Sequence, residues 1–141
     1  MSAKVFLVDD DSGFIELMTY RLRRNGFQVF SAAHGLDAVP AICQCQPDVI
    51  LLDVMLPELD GLSVCEEIQR NSATVRIPVI MVSAFGGPAT RAAGLAAGAV
   101  DFFCKPVDFT TLPARLNEVI WSRRHLLAGM AKLHTAAIDQ G

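Results

Sequence analysis

The stretch "KVFLVDDDSGF", residues 4–14, places three consecutive carboxylates directly after an apolar run. The nearly continuous apolar run is typical of a β-strand that is covered on both faces. Directly after the acids, residues 13–24 carry an apolar stripe at helical spacing that ends at Asn25-Gly26, a helix stop. The stretch therefore predicts a buried strand, an acidic turn and a helix, which is the repeating unit of an α/β domain.

The same alternation continues along the chain. Further strands are predicted at residues 27–33, 48–53, 78–83 and 100–104. Helical segments are predicted at about 36–45, 61–70, 88–97 and from 108 onward. Five strand–helix alternations predict an α/β domain with a parallel sheet, and right-handed crossovers place its helices on both faces.

Polar side chains follow four of the five predicted strands. Asp9 and Asp10 end the first strand, Asp53 the third and Ser83 the fourth, and Lys105 follows the fifth. In open parallel sheets, ligands bind outside the carboxyl ends of the strands. We therefore expect these side chains to meet at one edge of the sheet.

These residue types together favour phosphoryl chemistry. Converging carboxylates cannot all stay ionised without a cation, and hard oxygen ligands with open positions suit Mg²⁺. A carboxylate beside Mg²⁺ can attack phosphorus to form an aspartyl phosphate, and a lysine and a serine can hold the phosphoryl oxygens. Taken singly, Asp53 could be a turn residue and Lys105 a solvated loop lysine. Asp11 is expected to cap the first helix rather than bind metal.

Composition and charge limit the other possibilities. The chain has 141 residues, is 52% hydrophobic and lacks any apolar run near the roughly 20 residues of a membrane span. Its start does not resemble a signal peptide, so a cytoplasmic location is expected. Residues 1–70 carry five basic and eleven acidic side chains, and residues 71–141 carry seven and four. No polybasic patch predicts direct nucleic-acid binding, and the four cysteines are expected to be reduced thiols.

Four motifs in order carry a family resemblance. The segments "VDDD" (8–11), "LLDVMLPELDG" (51–61), "IMVSA" (80–84) and "FFCKP" (102–106), with their spacings, resemble the receiver domain of bacterial two-component response regulators. The resemblance covers roughly residues 3–120. It implies a doubly wound five-stranded parallel sheet in the flavodoxin-like order 2-1-3-4-5, with helices on both faces.

The resemblance also implies a metal site and a phosphoacceptor. Asp53 matches the residue that receives the phosphoryl group, in a reaction that needs Mg²⁺. Asp9 and Asp10 match the acidic pair, with Asp10 as the direct Mg²⁺ ligand, and the backbone carbonyl of Met55 would be another ligand. Met55 and Phe85 match two positions that control the approach of water. Both are apolar here, so we expect slow self-dephosphorylation.

Further residues match those that respond to the phosphoryl group. Lys105 matches the lysine that pairs with Asp53 and then with the phosphoryl group, and its bond to Pro106 is typically cis in the family. Ser83 matches the hydroxyl residue that follows the phosphate. Phe102 stands where the family often has a switching tyrosine; core packing alone would also explain a phenylalanine there.

The implied function is that of a signalling domain that is not an enzyme acting on other substrates. A histidine kinase or a phosphotransfer protein would phosphorylate it, and the face of the fourth helix, fifth strand and fifth helix would signal to a partner or output domain. Alternatives are a phosphatase with an aspartyl nucleophile, a flavin carrier, and an interaction module that never turns over phosphate. The sequence lacks the DxD pattern and the cap insertion of such a phosphatase. The acidic segment "DDDSG" would repel the phosphate of a flavin in the absence of a metal ion.

The chain continues beyond the expected domain of residues 1–120. Seven apolar or small residues and one arginine fall at alternating steps of four and three, which is heptad spacing. The positions are Leu112, Leu116, Val119, Arg123, Leu126, Met130, Leu133 and Ala137. Residues 121–141 are therefore predicted to be a helical extension or the start of a linker. Either this helix or the signalling face could form a homodimer, and a helix that packs on its own domain is the alternative.

Overall fold

A computed structural model describes the backbone of residues 2–140 and the side chains of residues 2–133. Five strands and five helices alternate along the chain. The strands are β1 (Lys4–Val8), β2 (Gln28–Ala32), β3 (Val49–Leu52), β4 (Val79–Ser83) and β5 (Asp101–Cys104). The helices are α1 (Ser12–Arg24), α2 (Gly35–Cys45), α3 (Gly61–Arg70), α4 (Pro88–Ala96) and α5 (Leu112–Gln140).

The strands form one parallel sheet in the order β2-β1-β3-β4-β5. The register places Val8 of β1 beside Leu52 of β3, so both strands end at the same level. On the other side of β3, Leu52 pairs with Met81 of β4. The predicted doubly wound α/β fold and its strand order are confirmed, and all five carboxyl ends open on one edge of the sheet.

Each face of the sheet carries its own apolar core. Alternate residues of β1 point in opposite directions, as the period of two requires. Phe6 and Val8 lie in the core beneath α2 and α3. Val5 and Leu7 lie in the second core, beneath α1 and α5. Burial on both faces explains why the strands read as continuous apolar runs.

The start of α5 is the main difference from the predicted boundaries. The helix begins at Leu112 rather than at residue 108. Asp108 instead forms a turn in which its carboxylate accepts hydrogen bonds from the backbone N–H (2.9 Å) and the hydroxyl (2.6 Å) of Thr110. Local side-chain bonds of this kind compete with helix formation.

Helix α5 continues well past the body of the domain. Leu112 and Leu116 are completely buried. Beyond Ile120 the helix presents Leu126, Met130 and Leu133 with more than half of each side chain exposed. The helix therefore changes from a core element into one with an exposed apolar face, while Ala137 of the predicted heptad pattern lies outside the described side chains.

One ion pair ties the start of this part of α5 to the domain. Arg124 donates a hydrogen bond of 2.8 Å to Asp48, the residue before β3.

None of the helices in residues 2–140 combines the length and apolar character needed to cross a membrane.

Candidate functional site

Three carboxylates converge at the carboxyl edge of the sheet. Asp9 follows β1 and Asp53 follows β3, and the backbone N–H of Asp53 extends the ladder by donating to the carbonyl of Val8 over 2.9 Å. The carboxylate oxygens of Asp9, Asp10 and Asp53 can all lie within 4.8 Å of one another. Asp9 and Asp53 are buried and Asp10 is exposed, so the cluster is closed on the core side and open to solvent on the other.

The third acid of the opening stretch is directed away from this cluster. The carboxylate of Asp11 accepts a hydrogen bond of 3.1 Å from the backbone N–H of Phe14 and caps α1. The backbone N–H of Asp11 donates to the carboxylate of Asp9 over 2.9 Å. The predicted capping role of Asp11 is confirmed, and its backbone helps to orient Asp9.

Lys105 reaches the cluster from the end of β5. Its Nζ donates to Oδ2 of Asp9 over 2.7 Å and to Oδ2 of Asp53 over 3.2 Å. The ammonium also lies 4.1 Å from the centre of the Phe14 ring. The bond from Lys105 to Pro106 is cis, as the resemblance implied. The lysine therefore contacts both buried carboxylates at once.

The electrostatics of the cluster follow from burial. Desolvation raises the pKa of Asp9 above its ordinary value, and the neighbouring charge of Asp53 adds to this, against the opposing hydrogen bonds from Lys105 and Asp11. Burial by itself would lower the pKa of Lys105. The hydrogen bond to Asp9 and the charges of Asp53 and Asp9 outweigh it and raise that pKa. One ammonium shared by two buried carboxylates leaves negative charge at the site.

The donor set fits Mg²⁺. The available ligands are carboxylate oxygens, which are hard donors, and exposed Asp10 leaves room for the waters that Mg²⁺ retains. Asp9, Asp10 and Asp53 are the side chains that would hold the ion. The backbone N–H of Met55 donates to Oδ1 of Asp53 over 3.0 Å. The role of the Met55 carbonyl as a ligand stays a prediction.

A glycine allows the loop after β3 to pack closely. The backbone N–H of Gly61 donates to the carbonyl of Val54 over 2.9 Å. A Cβ at Gly61 would collide with the backbone carbonyl of Asp53. The first residue of α3 thus lies directly against the backbone of the central carboxylate, and only glycine fits there.

Ser83 lies at the end of β4 and is fully buried. Its hydroxyl accepts a hydrogen bond of 3.2 Å from the backbone N–H of Phe85. Its carbonyl accepts one of 2.8 Å from the backbone N–H of Lys105. Phe85 itself is 62% exposed and Met55 is 57% exposed, so the two predicted water-controlling side chains both face solvent.

The predicted switch residue Phe102 lies inside the protein. Only 5% of Phe102 is exposed. A Cβ at Gly94 of α4 would lie 3.4 Å from its ring, so the backbone of α4 packs close to the ring at this glycine. The guanidinium of Arg91 lies over the ring, 5.3 Å from its centre. The role of Phe102 in switching stays a prediction.

The residue patterns did not identify Phe14 as part of the site. The helical spacing places it in the apolar stripe of α1, and its ring is partly buried against the core on that side of the sheet. Its position in the first turn after the acidic strand end is the signal that could have identified it, because that turn borders the carboxyl edge.

Comparison with known proteins agrees with this geometry. Residues 5–117 match the family model described as the response regulator receiver domain. The chain is 33% identical over 138 residues to the DNA-binding dual master transcriptional regulator RpaA of Synechocystis, covering 98% of this chain and 56% of that protein. It is 37% identical over 119 residues to the response regulator PleD of Caulobacter vibrioides, covering 84% of this chain and 26% of that protein.

Solved structures give the same result. The receiver domain of a sensor histidine kinase of Pseudomonas aeruginosa, with a magnesium ion coordinated in its active-site cleft, superposes with a TM-score of 0.79 at 31% identity, covering 85% of this chain and 98% of that one. The chemotaxis protein CheY4 of Vibrio cholerae superposes with a TM-score of 0.79 at 28% identity, covering 84% and 99%.

Proposed function

The chain belongs to the response regulator receiver family, and we propose that Asp53 accepts a phosphoryl group from a histidine kinase or a phosphotransfer protein. The observation that carries the proposal is the shared contact of Lys105 with Asp9 and Asp53 beside exposed Asp10. This arrangement supports the proposal, because a candidate nucleophile, candidate metal ligands and an ammonium lie together at the carboxyl edge of the sheet. Asp9, Asp10, Asp53 and the Met55 carbonyl are the proposed metal ligands.

The proposed reaction is an in-line transfer. A carboxylate oxygen of Asp53 attacks the phosphorus of a phosphohistidine, the P–N bond breaks, and the leaving imidazole nitrogen takes up a proton. Bound Mg²⁺ would supply charge neutralisation at the phosphoryl oxygens. Lys105, which already contacts Oδ2 of Asp53, would donate to one of those oxygens.

The proposed signal then spreads from Ser83. Its hydroxyl would leave the N–H of Phe85 and donate to a phosphoryl oxygen, which moves the loop before α4. Phosphorylation adds a charge of about −1.5 to −2 and strong acceptors at this position. Phe102 and Gly94 pack on each other between β5 and α4, so the loop shift would change the face formed by α4, β5 and α5. That face is the proposed contact for a partner or output domain.

Incubation with acetyl phosphate and Mg²⁺ tests the proposal. We expect a mass increase of one phosphoryl group, located at Asp53 by peptide mapping after borohydride trapping. Asp53→Ala should remove it, whereas Asp37→Ala, an exposed acid on α2, should retain it. Modification at another residue, or none in the wild type with acetyl phosphate and with a beryllofluoride mimic, would contradict the assignment.

The chain spans about half the length of two curated relatives that it matches and a quarter of a third. We therefore propose a receiver domain at residues 1–120 whose α5 extends, over residues 121–141, toward a further domain or a second copy. Support comes from the exposed side chains of Leu126, Met130 and Leu133, which share one helix face.

The solution mass of the whole chain tests the dimer. Leu126→Glu with Met130→Glu should lower the mass if the helix pairs, whereas Leu95→Glu should lower it if α4 pairs. A solution mass that neither the double change nor the single change lowers, or a monomeric wild type, would exclude these dimers. We further propose that this chain acts in the cytoplasm without binding nucleic acid itself. Its four cysteines, all free thiols, suit a reducing compartment.

A further inference from the structure

We propose that Phe14 is a positioning residue for Lys105: the face of its ring holds the lysine ammonium against the carboxylates. The inference rests on the proposed phosphoacceptor function and assigns to it a residue on α1. Phe14 would not touch the phosphoryl group. It would act through the lysine that does.

The contact geometry supports this role. The Nζ of Lys105 lies 4.1 Å from the centre of the Phe14 ring, within the range of a cation–π interaction. The Lys105 side chain is only 17% exposed, so little water competes for the ammonium. Besides the ring, the ammonium contacts the carboxylates of Asp9 and Asp53, at 2.7 Å and 3.2 Å.

The ring is itself held in place by its surroundings. The backbone N–H of Phe14 donates to the carboxylate that caps α1, so the helix start fixes the position of this residue. The ring also packs against the apolar core formed by α1 and α5. The flexible side chain of Lys105 therefore packs against a ring whose position is fixed.

The face of the Phe14 ring would help Lys105 to change hydrogen-bond acceptors in the proposed reaction. Asp9 and Asp53 both attract the ammonium, and the proposed reaction needs it to turn from Asp9 toward the phosphoryl group on Asp53. A ring face that attracts the ammonium without hydrogen-bonding it leaves all three N–H donors available. The lysine can therefore change acceptors while it stays at the edge of the sheet.

The experiment compares three variants of the whole chain. Phe14→Leu removes the aromatic face, and Phe14→Tyr retains it. Phe109→Leu is the matched control, because Phe109 packs against the same core but its ring contacts Arg21, at 4.5 Å, instead of Lys105. Stability by urea unfolding is measured for each.

The first readout is the NMR signal of the Lys105 ε-methylene protons in the metal-free protein. The ring face should shift these protons upfield in the wild type, in Phe14→Tyr and in Phe109→Leu. Phe14→Leu should return them toward the position of an ordinary lysine. A wild-type signal at the ordinary position would overturn the contact, whether or not Asp53 accepts phosphate.

The second readout is the rate of phosphorylation by acetyl phosphate at saturating Mg²⁺. We expect Phe14→Leu to lower it by about three- to tenfold, as the loss of a partly desolvated cation–π contact implies. Phe14→Tyr should restore most of the rate, and Phe109→Leu should keep it. In a Lys105→Met background, Phe14→Leu should have no further effect.

Two outcomes would overturn the positioning role. One is an equal loss of rate in Phe14→Leu and Phe109→Leu, which would indicate a general packing defect. The other is an undiminished effect of Phe14→Leu without Lys105, which would show that the ring acts by another route. A wild type that is not phosphorylated would instead contradict the proposed function.

Discussion

Lys105 donates a hydrogen bond to Asp9, with 2.7 Å between Nζ and Oδ2, and a longer one of 3.2 Å to Asp53. The lysine thus contacts one member of the acidic pair as well as the central carboxylate, and its single positive charge offsets only part of their negative charge. A cation bound by Asp9 would compete with the ammonium for the same oxygen. Cation binding should therefore free the lysine for an oxygen on Asp53, which couples the two binding events.

The three consecutive acids are predicted to differ in their effect on Mg²⁺ affinity. Asp10→Asn should weaken Mg²⁺ binding by about tenfold or more, about 1.4 kcal/mol, because it removes an exposed charged ligand. Asp11→Asn should change the affinity less, since that side chain caps α1 and amide oxygens also cap well. Isothermal titration calorimetry with Mg²⁺ measures both affinities. Calorimetry is preferred to fluorescence, because Trp121 lies on α5, far from the carboxyl edge of the sheet. Equal losses in the two variants would contradict the division of roles.

The raised pKa of Asp9 predicts a pH dependence of stability in the metal-free protein. A carboxyl with a raised folded-state pKa binds its proton more tightly when folded, so its contribution falls as pH rises from about 3.8 through the folded pKa. Lys105, with its pKa also raised, contributes stability below 10.5 that is lost only as pH rises through its folded pKa.

Urea unfolding of the wild type and of Asp9→Asn in a chelator, at several pH values from 3.5 to 7, checks this. The free energy of unfolding of the variant minus that of the wild type should rise with pH, by about 1.4 kcal/mol for each tenfold difference in proton affinity between the folded and unfolded states. A difference that stays constant or falls as the pH rises would be evidence against a raised pKa of Asp9.

Met55 and Phe85 are predicted to make the phosphorylated state long-lived. Both side chains are exposed, and neither can hold a water molecule for attack on the phosphoryl group. Met55→Asn combined with Phe85→Glu should shorten the lifetime, by about ten- to a hundredfold if one water becomes oriented. The decay of phosphorylated protein after removal of acetyl phosphate measures it, with Met55→Leu plus Phe85→Leu as the control. An unchanged decay rate in the polar variant would refute the idea.

Gly61 is predicted to be intolerant of any side chain. Gly61→Ala would force its Cβ against the Asp53 carbonyl, and the backbone of Asp53 would have to shift. We expect a loss of about 1–3 kcal/mol of stability, as for other overpacked sites, together with weaker Mg²⁺ binding. Gly87→Ala, where a Cβ meets nothing within 4 Å, is the control and should leave Mg²⁺ binding intact. Wild-type affinity in Gly61→Ala would show that this contact does not position Asp53.

The strand edges were predictable because each strand is a short apolar run that ends in a polar residue. Asp9, Asp53 and Lys105 meet as expected, since parallel strands in register end at one level. The division of the lysine between the two carboxylates was not predictable, because in sequence both are acids at strand ends. It depends on a difference of half an ångström in side-chain placement.

The details that the sequence missed depend on contacts between distant segments. The packing of the Phe102 ring against Gly94 joins β5 to α4, and no local pattern reveals that contact. The contact of Phe14 with Lys105 joins the first turn of α1 to the end of β5. The late start of α5 depends on Asp108, whose bonds to Thr110 compete with a helix that the periodicity alone would begin earlier.

Helix α5 has the geometry of a lever, with a short buried first part and a longer second part on which Leu126, Met130 and Leu133 are exposed. Its first turns are fixed in the core by Leu112 and Leu116, and the Arg124–Asp48 ion pair lies near the pivot. The part beyond residue 120 is about 30 Å long at 1.5 Å per residue. A tilt of about 5° at the pivot would therefore move its tip sideways by about 2.6 Å, so that a displacement too small to disturb the core becomes a movement of atomic size at the far end.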